Sequence, residues 1–240
     1  MKASVEQQLL AVELAKLDQE FNQYSSQAKH HPKREVIVKI TDEIEKLESE
    51  IIALTAQAGD IKKDSSKLED EIEQVRARAE KDQSRIDSTS NAKEITAMEH
   101  EIESLKNRQN DLENQELVLL EQIEGLDKKR NAFEQQKLKF TVELEQATGE
   151  LKADLNALKL KADQVNQDRQ VLAIKIEAEL MQKYQKIRSE HQGLAAARLL
   201  NSACSGCNIS FSPIEVQEIK SNDVELIMLC DNCSCILVRA

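Results

Sequence analysis

The sequence predicts a mainly α protein: a long antiparallel coiled-coil hairpin followed by a small β ribbon. Three observations predict it. Apolar residues recur at alternating spacings of three and four through most of the chain. Turn-forming residues interrupt that pattern near the middle of its span. All five cysteines fall between Cys204 and Cys235, after a cysteine-free stretch that begins at Met1.

Composition agrees with long helices. The chain has 240 residues, of which 32% are charged and only 2% aromatic, with no Trp, five Gly and two Pro. Side chains large enough to fill a wide core are scarce, whereas helix formers abound. The net charge of −11 disfavours indiscriminate binding to nucleic acid, which relies on basic residues meeting phosphates. The first residues carry Glu6 and Glu13 where a signal peptide needs an apolar core. The longest apolar runs, such as Leu117 to Leu120, are far too short to cross a bilayer. The expected setting is therefore cytoplasmic, with no membrane contact. In that reducing compartment, paired Cys-x-x-Cys units favour a metal site over disulfides.

The first helix reads through Leu10, Leu14, Leu17, Phe21 and Tyr24. His30-His31-Pro32 ends it, because proline lacks a backbone donor and restricts the residue before it. The ascending seam follows from Ile40 through Leu47, Leu54, Ile61, Leu68 and Val75 to Ile86, with Ser65 and Asp82 as its polar interruptions. Residues 87 to 92 hold a run of turn and cap formers, with Ser90 or Asn91 suited to cap the next helix. The descending seam runs from Ile95 to Leu151, with polar Gln109, Glu116, Arg130 and Lys137. It then shifts slightly and continues through Leu158, Val165 and Leu172 to Ile176.

The two arms have similar lengths, each roughly 120–150 Å if fully helical. Folding back at the turn buries both seams within one chain; the rival is an intermolecular coiled coil. The fold-back sets Gly149 across from His31-Pro32 and Gly59 across from Gly125. A glycine inside a helix costs about 1 kcal/mol relative to alanine, so these pairs are candidate joints. The expected domains are a hairpin over residues 1–192, with its turn near 87–92 and a break near 30–32, and a ribbon over 199–240.

Cys204-Ser205-Gly206-Cys207 and Cys230-Asp231-Asn232-Cys233 are two Cys-x-x-Cys units. Each spacing lets a tight turn aim two thiolates at one ion, and Gly206 and Asn232 suit turns that need permissive backbone angles. Four thiolates match the tetrahedral preference of zinc, so the four are read as ligands of one structural Zn2+. An iron–sulfur cluster is the main rival. A ribbon with a single Phe has too little core to fold without metal. Between the cysteine pairs, Asn208 to Phe211 reads as a short strand, Ser212-Pro213 as the start of a helical turn, and Val224 to Leu229 as a strand pairing with Ile236 to Val238. Cys235 is left over, either a spare thiol or a substitute ligand or redox partner. His30, His31, His100 and His191 lie outside the ribbon and are read as solvated rather than as ligands.

Three stretches together resemble a known bacterial family. They are Asn91-Ala92-Lys93-Glu94-Ile95-Thr96-Ala97-Met98-Glu99-His100-Glu101-Ile102, Tyr184-Gln185-Lys186-Ile187-Arg188, and the closing C-x-x-C…C-x-x-C-x-x-I-L, with Ser212-Pro213 inside it. The family is that of coiled-coil hairpin proteins with a C-terminal C4-type zinc ribbon. Its usual ending is C-x-x-C-G-R-I-L, whereas this chain has Ser234 and Cys235 in place of the glycine and arginine. If that arginine binds phosphate in relatives, this chain has lost it. The resemblance implies nucleic-acid binding as the common description. It also implies, for some members, links to the alternative sigma factor sigma-54 or to flagellar or type III secretion components.

These observations support a non-enzymatic zinc-ribbon adaptor that binds macromolecular partners, foremost protein, in transcription or regulation. The alternative is an RNA- or DNA-binding regulator. Its contacts would be Arg76, Arg78, Lys81 and Arg85 near the hairpin turn and Lys183, Lys186, Arg188 and Arg198 in the neck. The ribbon itself has two basic against five acidic residues, and aromatics for stacking bases are nearly absent. A polymerase-inserting tip bearing Asp82 and Asp87, and a peroxide-sensing chaperone acting through Cys235, are lesser readings. No nucleophile–base set or phosphate loop suggests an enzyme or a small-molecule substrate.

Overall fold

A computed structural model describes residues 1–191 and 194–239. The expected domain ends at Gln192 and Ala240 lie outside the described residues. The elements run α1 (Val5–Lys29), α2 (Lys33–Ser88), α3 (Ala92–Ala173), α4 (Ala178–Glu190), β1 (Ala196–Leu200), β2 (Ala203–Cys204), α5 (Pro213–Ser221), β3 (Met228–Leu229) and β4 (Ile236–Val238). The mainly α hairpin with a small strand region after it is the fold class the heptad spacing predicts. The chain divides into two compact units, Met1–Arg34 with Thr148–Ala240, and Glu35–Ala147.

The second unit is an antiparallel pair made of most of α2 and the first part of α3. Its seam is the one the spacing indicates. Leu47, Ile72, Ile102, Leu112 and Leu126 are buried, and the other apolar seam positions are half-buried. Two helices alone cannot close over a seam, which is why so few positions are fully covered. The polar interruptions Ser65 and Asp82 lie in the same line and are buried too. Ion pairs fix the register: Arg78 to Glu101 at 2.6 Å, Arg108 to Glu71 at 3.3 Å and Lys137 to Glu48 at 2.7 Å. Seam residue Arg130 is neutralised within its own helix by Asp127 at 3.0 Å. At the turn, Asn91 is the cap: its Oδ1 accepts from the Lys93 N–H at 3.1 Å. The Asn91 side-chain amide donates to Glu94 at 3.0 Å. α2 runs unbroken through Gly59 and α3 through Gly125, and a Cβ at either glycine would meet open space. The boundary between the units falls close in sequence to Pro32 and Gly149.

The first unit packs α1, the end of α3, α4 and strands β1 and β4 of a four-stranded sheet around one core, and a second apolar cluster surrounds the cysteines. Leu14 of α1, Leu180 and Tyr184 of α4, and Ile236 and Val238 of β4 are the buried centre of the core. Strand order is β2-β1-β4-β3, with β1 parallel to β4 and the other pairs antiparallel. The descending arm does not continue to the neck as one helix. α3 stops at Ala173, Ile174 is exposed, and Ile176 is turned into the core. Gln7 of α1 bridges that break. Its amide donates to the Lys175 carbonyl at 3.1 Å, and its Oε1 accepts from the Glu177 N–H at 2.8 Å. One side chain thus serves an acceptor in the link after α3 and an orphaned donor at the start of α4.

The first residues join the ribbon. Ala3 N–H donates to the Glu225 carbonyl at 2.9 Å, and Ile227 N–H donates to that of Met1 at 3.1 Å. Buried Gln8 donates to the Ala3 and Val224 carbonyls, both at 2.9 Å. Asp18, fully buried, accepts from the Tyr184 hydroxyl at 2.6 Å and meets the guanidinium groups of Arg169 and Arg188. Burial, then the Asp18 carboxylate, raises the Tyr184 pKa above the usual tyrosine value. His31 is not solvated as expected: its ring is mostly covered and its Nε2 lies 3.5 Å from Asp154.

Candidate metal centre

The ribbon begins earlier than its composition suggests. Ala196-Ala197-Arg198-Leu199-Leu200 favours helix by propensity, yet it forms β1 between β2 and β4. Asn201 and Ser202, with φ of 49° and 65°, make the two-residue turn into β2, the geometry of tight hairpins. That turn sets Cys204 at the end of β2.

The two Cys-x-x-Cys loops are built alike. Asn208 N–H donates to the Cys204 carbonyl at 2.8 Å, and Ser234 N–H donates to the Cys230 carbonyl at 2.7 Å. The residue after each second cysteine takes the left-handed conformation, Asn208 at φ 57° and Ser234 at φ 56°. The permissive angles thus fall at Asn208 and Ser234, not at Gly206 and Asn232. Gly206 is needed for closeness instead: a Cβ there would lie 3.0 Å from both Ala197 and Leu194. Asn208 to Phe211 is not a strand; it contributes a single bridge, Ser210 to Ala203. Of Val224 to Leu229, only Met228–Leu229 is a strand, antiparallel to β4. α5 is longer than one turn. It opens on a capping box in which Ser212 Oγ accepts from Glu215 N–H and the Glu215 carboxylate accepts from Ser212 N–H.

The loops bring Cys204, Cys207, Cys230 and Cys233 together, with all four sulfurs within 4.8 Å of one another. Cys204 Sγ lies 3.9 Å from Cys233 Sγ, and Cys207 Sγ lies 3.9 Å from Cys230 Sγ. The set could hold one metal ion. Cys204 and Cys230 are buried, while Cys207 and Cys233 are half-buried. Burial disfavours the thiolate at Cys204, but the N–H groups of Cys207 and Gly206 outweigh it and hold its pKa below the ordinary value. At Cys230 burial prevails and the pKa is pushed up to about 12. Cys235 also points into the cluster. Its buried sulfur is 3.2 Å from that of Cys233 and 3.7 Å from that of Cys204, and burial raises its pKa. Phe211, Ile219 and Leu237 pack around the sulfurs.

Several of the basic residues singled out in the sequence already face carboxylates. Near the turn, Arg76 pairs with Glu73, Arg78 with Glu101 and Arg85 with Asp82, while Lys81 is exposed. In the neck, Arg188 is committed to buried Asp18. Lys186 is exposed, Lys183 half-buried, and Arg198 lies on β1. Sequence reasoning gave no role to Arg239. It donates to the carbonyls of Ile219 at 2.8 Å and of Asp223 and Leu226 at 2.7 Å, tying the end of α5 to the loop before β3.

No helix among the described residues is long and apolar enough to cross a membrane. The chain is 30% identical over 240 residues to the uncharacterised protein Rv2229c of Mycobacterium tuberculosis, covering all of this chain and 98% of that one. A solved structure from Mycobacterium smegmatis, 27% identical, superposes with a TM-score of 0.89 over the full length of both chains. The structure of CT398 from Chlamydia trachomatis shares the fold at 16% identity, with a TM-score of 0.55 over 98% of this chain and 95% of that one. Residues 14–192 match the CT398-like coiled coil hairpin domain, and the chain belongs to that family.

Proposed function

We propose that the chain is a non-enzymatic, cytoplasmic adaptor. Its C-terminal ribbon is stapled by one structural Zn2+, and its helical hairpin binds protein partners. The observation that carries the reading is the closed sulfur set. An ion with Zn–S bonds of about 2.3 Å in a tetrahedron holds its sulfurs about 3.8 Å apart. The two cross-loop pairs stand at 3.9 Å. Cys204, Cys207, Cys230 and Cys233 would fill all four positions, leaving none for a substrate, so the ion's part is to hold the ribbon folded.

Protein is favoured over nucleic acid because the arginines near the turn and Arg188 already face carboxylates. Exposed Leu117, Val118 and Leu120 on α3 offer apolar contact instead. The partner classes implied by the resemblance are sigma-54 or secretion and flagellar components.

Two measurements test this. Elemental analysis should return one zinc per chain and no iron. Affinity capture from the native cytosol, with and without nuclease, should retain the same proteins in both halves. A capture that empties after nuclease would replace the adaptor reading with an RNA or DNA binder, with Lys81, Lys183 and Lys186 as the first residues to mutate.

A further inference from the structure

Within the first unit a cavity of about 270 Å³ opens between α1 and β1, beside the first cysteine loop. Val12, Ala15 and Leu200 give it apolar walls, and Lys16, Arg198 and Ser205 bring it donors. Among the described residues no carboxylate lines it, in a chain whose net charge is −11. Glu13 and Glu20 lie on the neighbouring face of α1, and neither pairs with Lys16 among the described residues.

Arg198 sets this cavity apart. Each of the other arginines reaches an acceptor: Arg34, Arg76, Arg78, Arg85, Arg108, Arg130, Arg169, Arg188 and Arg239 all meet a carboxylate or a carbonyl. Among the described residues the Arg198 side chain has no partner, and its Nε is shielded from solvent and donates to nothing. The Nε atoms of Arg130 and Arg239 are shielded in the same way, but those side chains have other partners; at Arg198 the terminal nitrogens, which are not shielded, are left to meet an anion. Ser205 Oγ accepts from the Arg198 N–H at 2.9 Å, which leaves its own proton to donate.

We propose that this cleft docks an acidic peptide segment of a protein partner, its carboxylate on Arg198, Lys16 and Ser205 and a neighbouring aliphatic side chain against Val12 and Leu200. The proposal rests on the adaptor reading and names the chemistry of the partner. The volume suits one or two side chains, and the apolar walls suit an aliphatic group beside a charge. A nucleic-acid backbone is less well matched, because no aromatic ring among the described residues lines the cleft to stack a base.

The test uses the full metal-loaded chain, its backbone amides followed by NMR. The probes are acetyl-Glu-Leu-amide, acetyl-Lys-Leu-amide and inorganic phosphate. Saturable shifts of Lys16, Arg198 and Ser205 are expected with the glutamyl peptide only. Arg198→Met should weaken that binding at least about tenfold while leaving the free protein as stable as before or more so. Lys16→Gln, at an exposed position, is the second variant and should weaken it with no change in stability. The proposal is overturned if the lysyl peptide shifts the same amides, if phosphate alone saturates them, or if neither variant weakens binding. A nuclease-resistant capture together with no peptide binding would sink the cleft and leave the adaptor. Peptide binding with an empty capture would do the reverse.

Discussion

The Tyr184 hydroxyl donates to the Asp18 carboxylate at 2.6 Å in a site where Asp18 is fully buried. Asp18 comes from α1 and Tyr184 from α4, and Arg169 of α3 meets the same carboxylate. Three helices therefore share one buried charge. Asp18→Ala would leave two guanidinium groups and a hydroxyl facing a void, at a cost of about 3–5 kcal/mol. Denaturant unfolding of the variant checks this, and Asp18→Asn should fall between it and the wild type.

The same pair predicts an alkaline limit. Tyr184 holds its proton more tightly folded than unfolded, because burial and Asp18 both disfavour the phenolate. A raised folded pKa contributes stability that is complete below the unfolded value of about 10 and falls as pH rises past it. Unfolding midpoints should therefore hold from pH 8 to about 10 and decline above it, and Tyr184→Phe should flatten that decline.

Gln7→Ala would strip both partners from the break between α3 and α4. The expected loss is about 1–3 kcal/mol. Hydrogen exchange localises it: protection at Glu177 should drop, while amides around Ile72 and Leu112 in the other unit keep theirs.

Ser234 occupies a left-handed conformation that costs an ordinary residue about 1–2 kcal/mol. Ser234→Gly removes that strain and should raise ribbon stability by about 1 kcal/mol, measured by thermal unfolding of the metal-loaded protein. Asn208→Gly should do less, since asparagine tolerates the conformation better.

Cys204→Ser or Cys230→Ser should abolish stoichiometric zinc and melt the ribbon, while most helical circular dichroism survives because the second unit has its own seam. Cys235→Ala should keep one zinc per chain. Acid should release the metal from the unaltered chain and from Cys235→Ala alike, because protons compete for the thiolates.

The hairpin was legible because a coiled-coil seam is a local pattern: Leu47, Ile72 and Leu112 announce their burial by spacing alone. The sulfur cluster was legible for a similar reason, since each Cys-x-x-Cys loop is set by its own backbone. What escaped depends on distant contacts. Nothing near Ile174 marks a helix end, and Gln7, far off in sequence, satisfies backbone groups at the break. Residues Ala196 to Leu200 form a strand because β4 pairs with their first half in parallel and β2 with their second half. Arg188 and Arg198 look alike in the sequence, and only the positions of carboxylates tell the committed one from the unpaired one.

The first unit joins the opening 34 residues to those from Thr148 onward, whereas Glu35–Ala147 is continuous. On a ribosome the continuous unit can close as soon as it emerges. α1 cannot, because the surfaces that cover Ala11, Leu14 and Ala15 come from α4, β1 and β4, which are made last. At about 5–20 residues per second, that apolar face waits roughly ten to forty-five seconds for its mates. Nascent chains stalled before β1 should therefore recruit chaperones at α1 and be cleaved there by protease, while residues 35–147 are already resistant.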